Sequence, residues 1–167
     1  MPILHYLAKF ILYCLGWKIE GEPPPYDKYI IIGAPHTSNW DGFLMVSSIL
    51  VQKISIQWFI KDNLFRFPWK TPLKLLGAIP IDRSKSSGIV DKMVEEINQR
   101  EQVTLVITPE GTRRKVEYWR SGFYYIALKA KIPIILGYHD YKKKIIGIGP
   151  TLRPSGDIAA DQETIRR

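Results

Sequence analysis

The stretch Tyr29-Ile30-Ile31-Ile32-Gly33-Ala34 runs directly into Pro35-His36-Thr37-Ser38-Asn39-Trp40-Asp41, and a second apolar run, Phe43 to Val51, leads away. The first run is short and rich in isoleucine, which predicts a buried strand. The second has the length and spacing of a helix, read as residues 42–51, with Ser38 and Asn39 as candidate caps. The polar cluster between them therefore lies at a strand-to-helix turn. A packed sheet delivers side chains to an open edge at such a turn.

His36 and Asp41 make this turn chemically specific. A neutral imidazole can take a proton from an alcohol near neutral pH. It does so better when a carboxylate holds its other ring nitrogen and stabilises the imidazolium. On one continuous helix, five steps of about 100° would leave the two side chains roughly 140° apart. A turn that ends at a helix start can bring them together. A plainer reading is also open: a loop histidine followed by a first-turn carboxylate that the helix dipole favours. His139 stands beside Asp140, but on an expected strand, where neighbours point to opposite faces.

The chain has 167 residues, ordinary for one domain with a real core. Its net charge of +8 suits anionic partners: membrane surfaces, phosphate esters, acidic carrier proteins or nucleic acid. Cys14 is the sole cysteine, so an internal disulfide framework is excluded. It is expected to serve as packing in the first helix. No run approaches about 18 apolar residues, so a full membrane span is not expected. Residues 1–16 lack a basic n-region and a small-residue cleavage site, and do not read as a signal peptide.

Leu4, Leu7, Ala8, Ile11, Leu12 and Leu15 recur at helical spacing, which predicts a helix over 3–15 stopped by Gly16. Such a helix either lies in a membrane interface or docks on its own domain. The division that follows is an N-terminal amphipathic helix, 1–16, and one domain, 17–167. Strands are expected at 17–20, 29–33, 55–60, 77–83, 103–107, 132–138 and 144–148. Between them come helices at 70–76, 88–100 (capped by Ser87) and 121–131, with a short helical tail after Thr151. The aromatics Trp58, Phe65, Phe67 and Trp69 are expected in the core, contact with acyl chains or lipid being the alternative. Alternation of strands and helices implies a single α/β domain with a mixed, mostly parallel central sheet flanked by helices.

A second constellation follows the strand at 103–107. In Pro109-Glu110-Gly111-Thr112-Arg113, proline sets a turn and glycine admits a ligand close to the backbone. Thr112 offers a hydroxyl and Arg113 a planar fork suited to phosphate, reinforced by Arg114 and Lys115. Arg83, at another strand end, is a further phosphate candidate, or else a surface ion pair.

The blocks His36 to Asp41 and Pro109 to Arg113, in this order, resemble the two signature blocks of the glycerolipid acyltransferase family that includes lysophosphatidate acyltransferases. Gly77 to Arg83 resembles the block between them, and Ile132-Pro133-Ile134-Ile135 the last. Pro80 stands where the middle block usually has an aromatic, and Leu136 where a second proline is common.

The resemblance implies a glycerol-3-phosphate acyltransferase-like fold. It implies transfer of a fatty acyl group from a thioester, acyl-CoA or acyl carrier protein, to the hydroxyl of a lysophospholipid such as 1-acylglycerol-3-phosphate, in phospholipid biosynthesis. It carries over His36 as base and Asp41 as its partner. Glu110, Gly111, Thr112, Arg113 and Arg83 become acceptor-binding residues. The expected setting is peripheral, on an anionic membrane at its cytoplasmic face. The acyl thioester is a co-substrate and no cofactor is expected. No metal is expected either, since His5, His36, His139 and Cys14 show no ligand spacing.

Three other readings stay open. The same transfer could serve another lyso-acceptor, a lyso-aminolipid or a lipid A precursor. A hydrolase could give the acyl group to water, although the chain lacks a Gly-x-Ser-x-Gly elbow. A non-catalytic basic module could bind membrane; for nucleic acid, no motif is present.

Overall fold

The computed structural model describes residues 2–33, 38–75, 77–82, 88–110 and 119–166. The strand that opens the decisive stretch, β2 (Lys28–Gly33), is the centre of the molecule. Ile30 and Ile32 point to one face of the sheet and Tyr29 and Ile31 to the other, and all four are buried. A run without polar alternation is what a strand covered on both faces requires. Each fully buried isoleucine contributes about 1.5–3 kcal/mol over leaving it in water.

Five strands form the main sheet in the order β1-β7-β6-β2-β5. They are β1 (Lys18–Glu20), β5 (Val103–Ile107), β6 (Ile134–Asp140) and β7 (Ile145–Leu152) around β2. β2 pairs parallel with both β5 and β6, and β1 with β7, whereas the β6–β7 hairpin is antiparallel. This is the mixed, mostly parallel α/β sheet expected. Strands β3 (Trp58–Lys61) and β4 (Ala78–Ile81) form a separate parallel pair. Gln57 ties that pair to the edge of β5. Its N–H donates to the Thr104 carbonyl (2.8 Å), and its side-chain oxygen accepts from the Thr104 N–H (2.6 Å). Pro80, in β4, is exposed and can forgo a donor because its strand has one partner strand.

Helices cover both faces. On one side Ile97 of α4 (Ile89–Asn98), Phe123, Tyr124, Ile126 and Ala127 of α5 (Gly122–Ala130) and Ile165 of α6 (Ile158–Arg166) pack on Ile30, Ile32 and Leu105. On the other, α2 (Asn39–Gln52) lies against the sheet through Leu44, and α1 (Pro2–Cys14) packs on α2 through Leu12. His5 Nδ1 lies 3.2 Å from the Leu50 carbonyl, one of the acceptors that the end of α2 leaves open.

Several expectations need correction. Phe67 is 95% exposed and Trp69 65%, so these two are not core, whereas Trp58 and Phe65 are half-buried: the chain at Phe67 and Trp69 forms turns between a single 3₁₀ turn (Asp62–Leu64) and α3 (Lys70–Leu75). Cys14 is exposed, because α1 turns Ala8 and Leu12 inward and carries Cys14 on its outer side. α4 starts one residue later than expected, behind Gly88 in the left-handed region (φ 79°), and Ser87 lies outside the described residues. β6 and β7 are shifted towards higher numbers because Lys131 closes α5 in a left-handed turn and the hairpin extends to Leu152.

Gly77, at the end of α3, has φ +80°, and a Cβ there would run into the backbone carbonyl oxygen of Ile56. Backbone cannot give way as a side chain would. Gly77→Ala is expected to destabilise the fold by about 2–4 kcal/mol, from the left-handed backbone and the clash together. The midpoint of urea unfolding measures it.

Candidate active site

β2 ends at Gly33, level with Gly137 of β6, and one step beyond the Ile32–Ile107 pairing with β5. The carboxyl ends of β2 and β5 are thus neighbours, and each opens into one of the two stretches singled out in the sequence. His36 lies outside the described residues, as do Arg83, Gly111, Thr112 and Arg113. Asp41 and Glu110 are described. Glu110 is half-buried in the turn that follows β5. The loop that it opens is closed at its base, where the Arg120 N–H donates to the Pro109 carbonyl at 2.9 Å.

Asp41 occupies the third position of α2 and is only 3% exposed. Ser38 caps the helix with extended backbone, its hydroxyl accepting from the Trp40 N–H at 3.2 Å. The Ser38 N–H in turn donates to Asp41 Oδ2 at 2.7 Å, completing a capping box. The positive end of the helix dipole also favours the charged carboxylate. Asn39, the other candidate cap, is the first residue of the helix instead.

The other oxygen of Asp41 has a donor that the sequence did not disclose. The Tyr141 hydroxyl donates to Oδ1. Tyr141 comes from the β6–β7 turn, 100 residues away. Its ring stands edge-on to Trp17, with centroids 5.2 Å apart. Desolvation raises the Tyr141 pKa, and the hydrogen bond to Asp41 and its charge raise it further. The phenol therefore remains a donor throughout the neutral range. No local pattern pointed to this tyrosine. The capping box did have a signal, Ser-x-x-Asp ahead of an apolar run.

Asp41 faces a narrow cavity of about 60 Å³ between α2 and the sheet. Met45 and Ile49 line it on the helix side, and Ile31, Ile146 and Ile148 on the sheet side. A larger apolar cavity, about 510 Å³ as bounded by the described residues, opens across β5 between Phe59, Met93, Leu105 and Phe123. It reaches Pro109 and Arg120, the two ends of the loop that carries Glu110. A fixed, buried carboxylate beside apolar space at a strand edge can orient a base next to a hydrophobic substrate.

The acyltransferase family model matches residues 17–136, well over half of the chain and both stretches singled out above; the chain belongs to the acyltransferase family. It is 27% identical over 141 residues to a 1-acyl-sn-glycerol-3-phosphate acyltransferase of Streptococcus pneumoniae, covering 78% of this chain and 51% of that protein. It is 29% identical over 139 residues to the protein of the same name from Cocos nucifera, covering 78% of this chain and 44% of that one. The chain thus spans about half the length of the curated relatives it matches. Its fold is similar to the crystal structure of the 1-acyl-sn-glycerophosphate acyltransferase PlsC from Thermotoga maritima. The TM-score is 0.65 at 17% identity, over 99% of this chain and 76% of that one.

Proposed function

We propose that the protein transfers a fatty acyl group from a thioester, acyl-CoA or acyl carrier protein, to the free hydroxyl of a lysophospholipid, 1-acylglycerol-3-phosphate in the first place. The observation that carries this reading is Asp41. It is a buried carboxylate held at both oxygens, five residues after the one histidine of its stretch, at the carboxyl edge of the sheet. Family membership and the names of the relatives support the reaction and the acceptor.

His36 takes the proton of the acceptor hydroxyl, and Asp41 stabilises the imidazolium that results. The alkoxide oxygen bonds to the thioester carbonyl carbon. The tetrahedral intermediate then collapses, the carbon–sulfur bond breaks, and the proton held by His36 returns to the leaving thiolate. A backbone N–H of the first turn of α2 that the Ser38 cap does not take is suited to the oxyanion. Arg113 and Arg83 bind the acceptor phosphate, with Glu110, Gly111 and Thr112 shaping the pocket. Alcohol attack on a thioester assisted by a base needs neither metal nor redox cofactor.

The acceptor is a lipid, so the protein works at a surface. Among the described residues no helix is long and apolar enough to cross a membrane. α1 instead exposes Ile3, Tyr6, Phe10 and Tyr13, and the first turns of α2 expose Trp40 and Phe43, stacked at 4.9 Å. These apolar groups, together with a net charge of +8, suit peripheral contact with an anionic bilayer at its cytoplasmic face.

Lipid mass spectrometry of the purified protein with one labelled acyl thioester and a panel of lyso-acceptors tests the reading, alongside co-sedimentation with anionic vesicles. Acylated 1-acylglycerol-3-phosphate and vesicle binding are the expected results. Product formed only from lyso-aminolipid or lipid A-type acceptors would replace the acceptor while keeping the reaction. Free fatty acid released without any acceptor would make the protein a hydrolase. Vesicle binding without transfer to any acceptor would leave only a basic membrane module.

A further inference from the structure

We propose that Tyr141 is a positioning residue for the transfer reaction, acting through Asp41: its hydroxyl holds the second oxygen of that carboxylate and so helps set the orientation of the base. The inference rests on the base–carboxylate reading above.

The Ser38 N–H donates to Oδ2 of Asp41. The Tyr141 hydroxyl donates to the other oxygen, Oδ1, so the carboxylate is gripped from the helix cap and from the β6–β7 turn together. The tyrosine is 50% exposed, and its ring packs on two aromatic neighbours. Its ring meets Trp17 edge-on at 87°, and His139 at 6.5 Å and 82°. Trp17 is buried, and its N–H is tied to the Leu12 carbonyl at 2.8 Å. The turn carrying Tyr141 is closed by the Lys143 N–H on Asp140 Oδ1 at 2.9 Å, and anchored by Lys144 Nζ on the Leu15 carbonyl at 3.0 Å. The phenol is thus presented by a fixed aromatic cluster rather than by a free side chain.

Phenylalanine keeps every one of these ring contacts and removes only the hydroxyl. A purely structural tyrosine would therefore lose stability in Tyr141→Phe and leave turnover alone. A positioning tyrosine loses turnover as well. Loss of one hydrogen bond to a charged group that orients the base predicts a fall in kcat of about 10- to 100-fold. The KM values for acceptor and thioester should stay within about twofold, because the hydroxyl touches neither substrate.

The decisive measurement is a double-mutant cycle of Tyr141→Phe with Asp41→Asn, reading kcat, KM and thermal unfolding for each variant. The expected result is a kcat loss for Tyr141→Phe in the wild-type background that largely disappears in the Asp41→Asn background, with every variant still folded at the assay temperature. Wild-type kcat in Tyr141→Phe, with His36→Ala and Asp41→Asn both impaired, would overturn this inference and leave the base reading standing. An equal loss in both backgrounds would also overturn it, since Tyr141 would then act independently of Asp41. If His36→Ala and Asp41→Asn themselves keep wild-type turnover, the base reading falls and this inference falls with it.

Discussion

Asp41→Asn is expected to lower turnover on the order of 10²- to 10³-fold while the protein stays folded. The substitution is nearly isosteric. An asparagine oxygen can still accept the Ser38 N–H at the start of α2, so the helix keeps its cap. What disappears is the negative charge. Without it, the imidazolium formed during proton transfer loses its stabilising partner, and the amide can present an N–H where the base needs an acceptor. His36→Ala removes the base itself and should cost on the order of 10²- to 10⁴-fold. Steady-state kinetics with a labelled thioester, paired with far-UV circular dichroism, separates loss of chemistry from loss of fold. Turnover within about twofold of wild type in either variant would falsify the mechanism.

The largest expected effect on stability lies at the other end of the molecule. Asp161 is 7% exposed and its Oδ2 accepts from the Tyr124 hydroxyl at 2.7 Å, the Ser155 N–H at 2.7 Å and the Ser155 hydroxyl at 3.0 Å. Tyr124 is completely buried. Asp161→Ala strands its hydroxyl and the Ser155 donors without their acceptor. It is expected to cost about 3–5 kcal/mol in urea unfolding at neutral pH.

The same carboxylate sets an acid limb. Desolvation pushes its pKa upward, but the hydrogen bonds from Ser155 and Tyr124 outweigh it, and the net shift is downward. Between the lowered folded value and the ordinary carboxylate value, the unfolded chain binds more protons than the folded one. This contribution to stability is therefore complete above the ordinary value, and is lost as the pH falls through the folded value. In Asp161→Ala the fall in stability on acidification should be shallower than in wild type. Parallel slopes for the two proteins would remove Asp161 from the account.

The parts of the fold that follow from local pattern were legible. Residues 103–107 read as a strand because Val-Thr-Leu-Val-Ile is a short run of β-branched and apolar residues, and β5 has those bounds. Gly16 marks a helix end, and it adopts positive φ. Local pattern does not place Tyr124 in the core beside Phe123, Ile126 and Ala127, where it lies. A phenol can be buried only with a partner, and that partner, Asp161, is 37 residues on. Phe67 and Trp69 misled for a related reason: hydrophobic composition says what could be buried, but not what the rest of the chain packs against.

The sequence by itself determined the strand β2 followed by the capped helix α2, and the family, because backbone propensity, helix capping and motif spacing act over a few residues. Only the tertiary structure decided the strand order β1-β7-β6-β2-β5, the exposed apolar side of α1, and the hydroxyl of Tyr141 on Asp41. Those depend on which distant surfaces meet. One-dimensional patterns leave that open, since a hydrogen bond formed across 100 residues leaves no periodic trace at either end.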